Sequence, residues 1–246
     1  MPHAMRIART LLSLVSILSI LLIGSAAQSG EIELKAVILS RFVQFVTWPE
    51  AEQREVTSIC LLGADRDRML AVFAASPEAA DGGPHPLDRW SRRVIERLAD
   101  KLGAVALFPF GGPPYQPFQR WAARGEAAIA SPVAMQVTGG RGLWTSYRGA
   151  LGFREPVAVA EQGRENPCLG CPAPCLTACP VDAFASGSYD VPRCVAHITS
   201  PHGAACREGG CLVRHACPAG RDAAPPAEQC RFHMDAFIHA RLAAGD

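Results

Sequence analysis

Cys168-Leu169-Gly170-Cys171-Pro172-Ala173-Pro174-Cys175-Leu176-Thr177-Ala178-Cys179-Pro180 decides how this chain is read. Its cysteines are separated by two, three and three residues, and proline follows the last at once. A second run, Cys194, Cys206, Cys211 and Cys217-Pro218, brings eight of the ten cysteines into one region. Cysteines this close, ending on Cys-Pro, are how short loops wrap an iron–sulfur cluster, because each thiolate must reach a different corner of one small cube. Eight thiolates, at Cys168, Cys171, Cys175, Cys179, Cys194, Cys206, Cys211 and Cys217, are enough for two [4Fe–4S] clusters. The segment from Cys175 to Pro180 is echoed, with two extra residues, from Cys211 to Pro218. The second half therefore reads as a stretched copy of the first.

Two other chemistries compete for these thiols. Disulfides suit an exported chain, but four sulfurs within twelve residues leave little room for separate, well-shaped bridges. Zinc takes four cysteines, or three and a histidine, and His197, His202 and His215 lie among the cysteines. Zinc sites, however, usually pair their cysteines across a longer loop. Unliganded packing explains a single cysteine such as Cys60, which sits in an apolar run, but not eight together. Cys230 lacks both the spacing and the following proline.

From about Phe73 onward the chain resembles bacterial [4Fe–4S] ferredoxin-type proteins. The resemblance is carried by the cysteine block and by Pro86–Trp90, Phe108–Tyr115, Gly142–Ala150 and Phe232–Phe237. Gly142–Ala150 is also similar to a segment of the corrinoid-processing reductase-like proteins, to which epoxyqueuosine reductase, a two-cluster enzyme, is related. Where those proteins carry His-Pro-x-Tyr before Gly-Leu-Trp, this chain has Val137-Thr138-Gly139-Gly140-Arg141. In bacterial two-cluster ferredoxins the cysteine before proline ligates the cluster of the other run. By that resemblance one cluster takes Cys168, Cys171, Cys175 and Cys217, and the other takes Cys194, Cys206, Cys211 and Cys179. Local ligation by Cys168, Cys171, Cys175 and Cys179 is the rival, and Cys230 is the alternative to Cys194.

The chain has 246 residues and 49% apolar content, enough for one or two domains with an ordinary core. Its formal net charge is +1, and Lys35 and Lys101 are its only lysines. No polybasic tract marks nucleic acid as a partner. Arg6 and Arg9, the apolar run Leu11–Ile23 and then Gly24-Ser25-Ala26-Ala27 describe a secretory signal-like segment over 1–27, too short for a comfortable membrane span. It is the only part that points to a membrane. Leu34, Ile38, Phe42 and Phe45 recur at helical spacing up to Trp48-Pro49, and a buried strand is expected from Val56 to Leu62. Glu31–Ala36, Phe45–Pro49 and Ile59–Gly63 resemble the start of periplasmic YfiR-like proteins; the likeness covers 31–65, and their regulatory function is not carried over. The start points to the envelope or periplasm and the cluster chemistry to the cytoplasm, since secretion threads unfolded chains and no twin arginine is present. A junction near residues 60–70 accounts for that conflict.

Beyond it, helices are expected over Asp67–Ala75, over Leu87–Leu102 with its stop at Gly103, near Gln116–Arg124 and over Gln229–Leu242. Ala104–Phe108 reads as a short buried strand, and Val133, Met135 and Val137 alternate as in a strand. The Gly111-Gly112-Pro113-Pro114 loop reads as a turn, its prolines having no amide to offer a phosphate. Trp144, Tyr147 and Arg148 read as packing plus a surface ion pair, with a ligand pocket as the alternative. His233 is placed to donate a hydrogen bond toward a cluster or to serve as a structural histidine.

The expectation is an α+β chain: a signal-like segment (1–27), a YfiR-like fragment (28–66), a mixed α/β region (67–156) and a loop-rich, ferredoxin-like [4Fe–4S] domain (157–246). Function is expected to be one-electron transfer to a redox partner protein, with no catalytic acid/base pair. An oxidoreductase related to the epoxyqueuosine or corrinoid reductases, its clusters feeding a bound cofactor or substrate, and a zinc-stabilised structural module are the alternatives.

Overall fold

The computed structural model describes residues 40–44, 56–157 and 166–245. The signal-like segment, most of the stretch around Leu34–Pro49 and the connection at 158–165 lie outside the described residues. The chain is mixed α+β, with one four-stranded antiparallel sheet, one short hairpin and a helical C-terminal half. None of the described helices is long and apolar enough to cross a membrane.

Sheet order is β1 (Ser40–Gln44), β2 (Ser58–Gly63), β6 (Tyr147–Phe153), β3 (Val105–Leu107). β2 is the apolar run Ser-Ile-Cys-Leu-Leu-Gly, and every residue in it is buried, as a central strand with covered faces requires. Cys60 is 2% exposed within it, a small core residue as expected. β2 pairs with β1 through Phe42↔Cys60 and with β6 through Cys60↔Leu151. The helix expected to run through Phe42 is instead strand β1 over Ser40–Gln44. Pairing along β2 overrides the helical spacing, and Phe42 and Val43 suit a strand. The sheet also spans the expected junction: β2 comes from segment 28–66, while β6 and β3 come from 67–156.

Helix α1 (Met69–Ala74), the single turn α2 (Pro77–Ala80) and helix α3 (Pro86–Leu102) follow β2. α3 buries Trp90, Ile95 and Ala99 on one stripe, and Gly103 ends it in a left-handed conformation. β3 was expected to be buried, but it lies at the edge of the sheet with Val105 39% exposed. Helix α4 (Phe118–Gly125) covers one face: Trp121, fully buried, clusters with Ile59, Leu61 and Ala150. The next residue of β6, Gly149, points to the opposite face, where a β-carbon would come within 2.5 Å of Ile95 Cδ1. That missing side chain lets α3 lie close on the sheet.

The hairpin of β4 (Ile129–Ala130) and β5 (Gln136–Val137) leads from the sheet to the cysteine region. Val133, Val137 and Leu143 share one apolar cluster with Ala183, Phe184 and Val213, so the α/β region and the cysteine region have a common core. Four helices complete the chain: α5 (Val191–Thr199), α6 (Ala204–Gly209), α7 (Leu212–His215) and α8 (Ala227–Ala244). Asp190 caps α5 by accepting the Arg193 amide at 3.0 Å. Phe232 of α8 meets Phe73 of α1 at 5.5 Å, tying the closing helix to the first layer.

Candidate metal centre

Short turns present the cysteines. Pro174–Leu176 is a 3-10 turn carrying Cys175, and Cys179 follows it. Cys194 sits on α5, Cys206 on α6, Cys211 at the start of α7, and Cys217 leads into a second 3-10 turn, Pro218–Ala223. Proline cannot donate an amide, so each Cys-Pro step leaves the preceding helical turn. All ten cysteines are free thiols.

The eight thiols of the two runs fall into two groups of four. Burial raises the Cys168 thiol, and repulsion from Cys171 and Cys217 adds to it. Burial likewise raises Cys175, followed by repulsion from Cys217, Cys168 and Cys171. In the other group burial raises Cys194, and Cys211, Cys179 and Cys206 push the same way against a hydrogen bond from Tyr189. Cys206 is raised by burial and by Cys211 and Cys179, opposed by the Leu212 amide. Cys179, Cys194, Cys206 and Cys211 line one cavity of about 300 Å³. The Ala183 amide donates to Cys179 Sγ at 3.3 Å. The last cysteine of each run thus lies beside thiols of the other run.

Buried thiols that repel one another are poor thiolates until a cation neutralises them. The donor set therefore fits a metal whose charge is shared among four sulfurs. Among the described residues no group of three or more His, Cys, Asp or Glu side chains is arranged to hold a metal ion. Four thiolates on one zinc must all lie about 2.3 Å from it. Around a four-iron cube each binds a different iron, and the sulfurs stay farther apart.

Cys230 is buried beside Arg214, donates toward the Pro225 carbonyl at 3.5 Å and joins neither group. His197 lines the cavity shared by Cys179, Cys194, Cys206 and Cys211, whereas His215 Nε2 meets the Gly209 carbonyl at 2.8 Å and its ring stands edge-on to Trp144. His233, half-buried and close to Arg148 and Arg214, is pushed down to about 4, first by burial and then by the two guanidinium groups. Tyr147 donates to Glu126 at 3.1 Å, and Arg148 holds Asp88 at 2.5 Å and Ser91 at 3.0 Å, so these two residues are engaged in structural contacts.

A glycine contact covers one thiol of the first group, Cys217. Gly142, at φ 52°, brings its α-carbon against the backbone of Gly220; a β-carbon on Gly142 would lie 2.5 Å from the Gly220 nitrogen and 3.0 Å from Cys217 Sγ. Arg141-Gly142 is thereby a lid on Cys217, braced by the ion pair of Arg141 with buried Glu126. Nothing in the sequence marks this contact in advance. Tyr189 and Arg214 also went unread, although one lies five residues before Cys194 and the other between Cys211 and Cys217.

No family model, curated protein or solved structure matches the chain.

Proposed function

We propose that this chain is an iron–sulfur electron carrier for two [4Fe–4S] clusters, in a loop-rich domain of ferredoxin type built on the α+β region. One site is formed by Cys168, Cys171, Cys175 and Cys217, the other by Cys179, Cys194, Cys206 and Cys211. The observation that carries this reading is the division of eight thiols into two groups of four, each completed by a cysteine from the opposite run.

When bound, such clusters supply one-electron exchange. The chain's own contribution is to hold the thiolates, exclude water and offer hydrogen bonds to sulfur. Val133, Val137, Phe184 and Val213 supply the apolar surroundings, and the Ala183 amide and Tyr189 hydroxyl donate to Cys179 and Cys194. Electrons are exchanged with a redox partner protein, and no residue is assigned a catalytic role.

Anaerobic reconstitution followed by iron and sulfide analysis tests the proposal. The expected product is brown, with about eight irons per chain. A colourless protein that keeps stoichiometric zinc overturns it.

A further inference from the structure

The two thiol groups have different electrostatic surroundings. Burial and the neighbouring thiols act on Cys168 and Cys175, joined at Cys175 by a backbone amide. The cavity of Cys179, Cys194, Cys206 and Cys211 is lined in addition by Tyr189 and Arg214. The Tyr189 hydroxyl donates to Cys194, and its ring is stacked on Phe184 at 4.8 Å with the planes 10° apart. Phe237 stacks on it as well, at 6.5 Å. Arg214 is anchored through Nη1 to the Leu143 carbonyl at 2.9 Å, its guanidinium 5.7 Å from the centre of the Trp144 ring. Its partners among the described residues are a carbonyl and a ring rather than a carboxylate, so its charge is not cancelled locally.

Resting on the two-cluster reading above, we propose that Arg214 and Tyr189 set the reduction potential of the Cys179–Cys194–Cys206–Cys211 site above that of its companion. Reduction adds one negative charge to a site that already carries four thiolates. A fixed cation at the cavity wall and a hydroxyl donating to a ligand sulfur both stabilise the more negative state. The effect is strengthened because apolar side chains screen it poorly. Arg214 and Tyr189 are positioning residues here: they ligate nothing and act on the ligands' field.

The test is an anaerobic titration of the full-length, cluster-loaded protein with dithionite, followed by electron paramagnetic resonance, for the wild type, Arg214→Gln, Arg214→Lys and Tyr189→Phe. Two reduction waves are expected in the wild type. Arg214→Gln lowers the higher one by at least tenfold in its one-electron equilibrium constant, about 59 mV, and leaves the lower one in place. Arg214→Lys restores most of the shift. Tyr189→Phe, which keeps the stacked ring, lowers the same wave by less and decides the question alone should Arg214→Gln fail to load. Waves that stay put, or movement of the lower wave instead, overturn the inference. Iron and sulfide analysis of the same samples separates the two levels. Full iron with unmoved waves sinks this inference alone, whereas wild-type protein with far fewer than eight irons sinks the two-cluster reading and this inference with it.

Discussion

Cys217 lies against Cys175, while Cys211, its predecessor in the second run, belongs to the other group. Paired cysteine substitutions distinguish this crossing from local ligation. Cys175→Ala with Cys217→Ala removes two thiols of one group and is expected to leave about four irons on the other. Cys175→Ala with Cys179→Ala strikes both groups and is expected to leave few irons on either. Iron content and the resonance spectrum of each double variant read the outcome; the reverse pattern means that each run closes its own site.

Gly142→Ala puts a methyl group where the Gly220 backbone and Cys217 Sγ already are, at a left-handed backbone position. Strain of this kind costs about 1–3 kcal/mol. It should fall on the first site, dropping iron from about eight to about four per chain while the second site stays loaded. Uniform loss from both sites, or no loss, counts against the lid.

Truncation to Met69 removes β1 and β2. β2 is a buried central strand whose loss leaves β6 unpaired on one side and exposes Trp121 and Ala150. The shortened chain is therefore expected to be insoluble or unfolded, by circular dichroism and by soluble yield. A well-folded, cluster-loaded fragment from Met69 onward would show that the cysteine region stands without the sheet.

His233 is held at about 4 against an ordinary 6.5. Because the unfolded chain binds this proton more readily, the folded state loses stability as pH falls from 6.5 toward 4, and the loss has reached about 2 kcal/mol at pH 5. His233→Gln should flatten that part of the profile, read as the difference in melting temperature from wild type at pH 7.5 and pH 5. Glu78, held near 2 chiefly by its hydrogen bonds from Arg93, destabilises the fold only below its ordinary 4.5. A variant whose melting temperature falls as steeply as the wild type's between pH 7.5 and 5 clears His233 of the role.

Helix α3 could be read from the sequence because its apolar residues recur at helical spacing over more than four turns and it ends on a glycine. β6 could not: Gly149 and Gly152 break its apolar pattern, and their purpose emerges only when Ile95 and Val56 are found above them. β1 was misread because the spacing of Leu34, Ile38, Phe42 and Phe45 suits a helix, and only the partner strand overrides it. The cysteine region stood out through spacing alone, yet spacing does not say which thiols meet. That grouping came from the Cys-Pro resemblance, and the roles assigned to Tyr189 and Arg214 depend on what surrounds them in space.

The interval from Cys175 to Cys217 encloses every thiol of the other group, so the two sites are nested along the chain. A ribosome delivering the protein from its N-terminus completes the inner set at Cys211, while the outer set still waits for Cys217. The outer site opens first and closes last, holding its first three sulfurs unfinished throughout the making of the inner one. Order along the chain therefore leaves the outer set open after the inner set is complete, and a chain interrupted between Cys211 and Cys217 would carry all four inner thiols and three stranded outer ones.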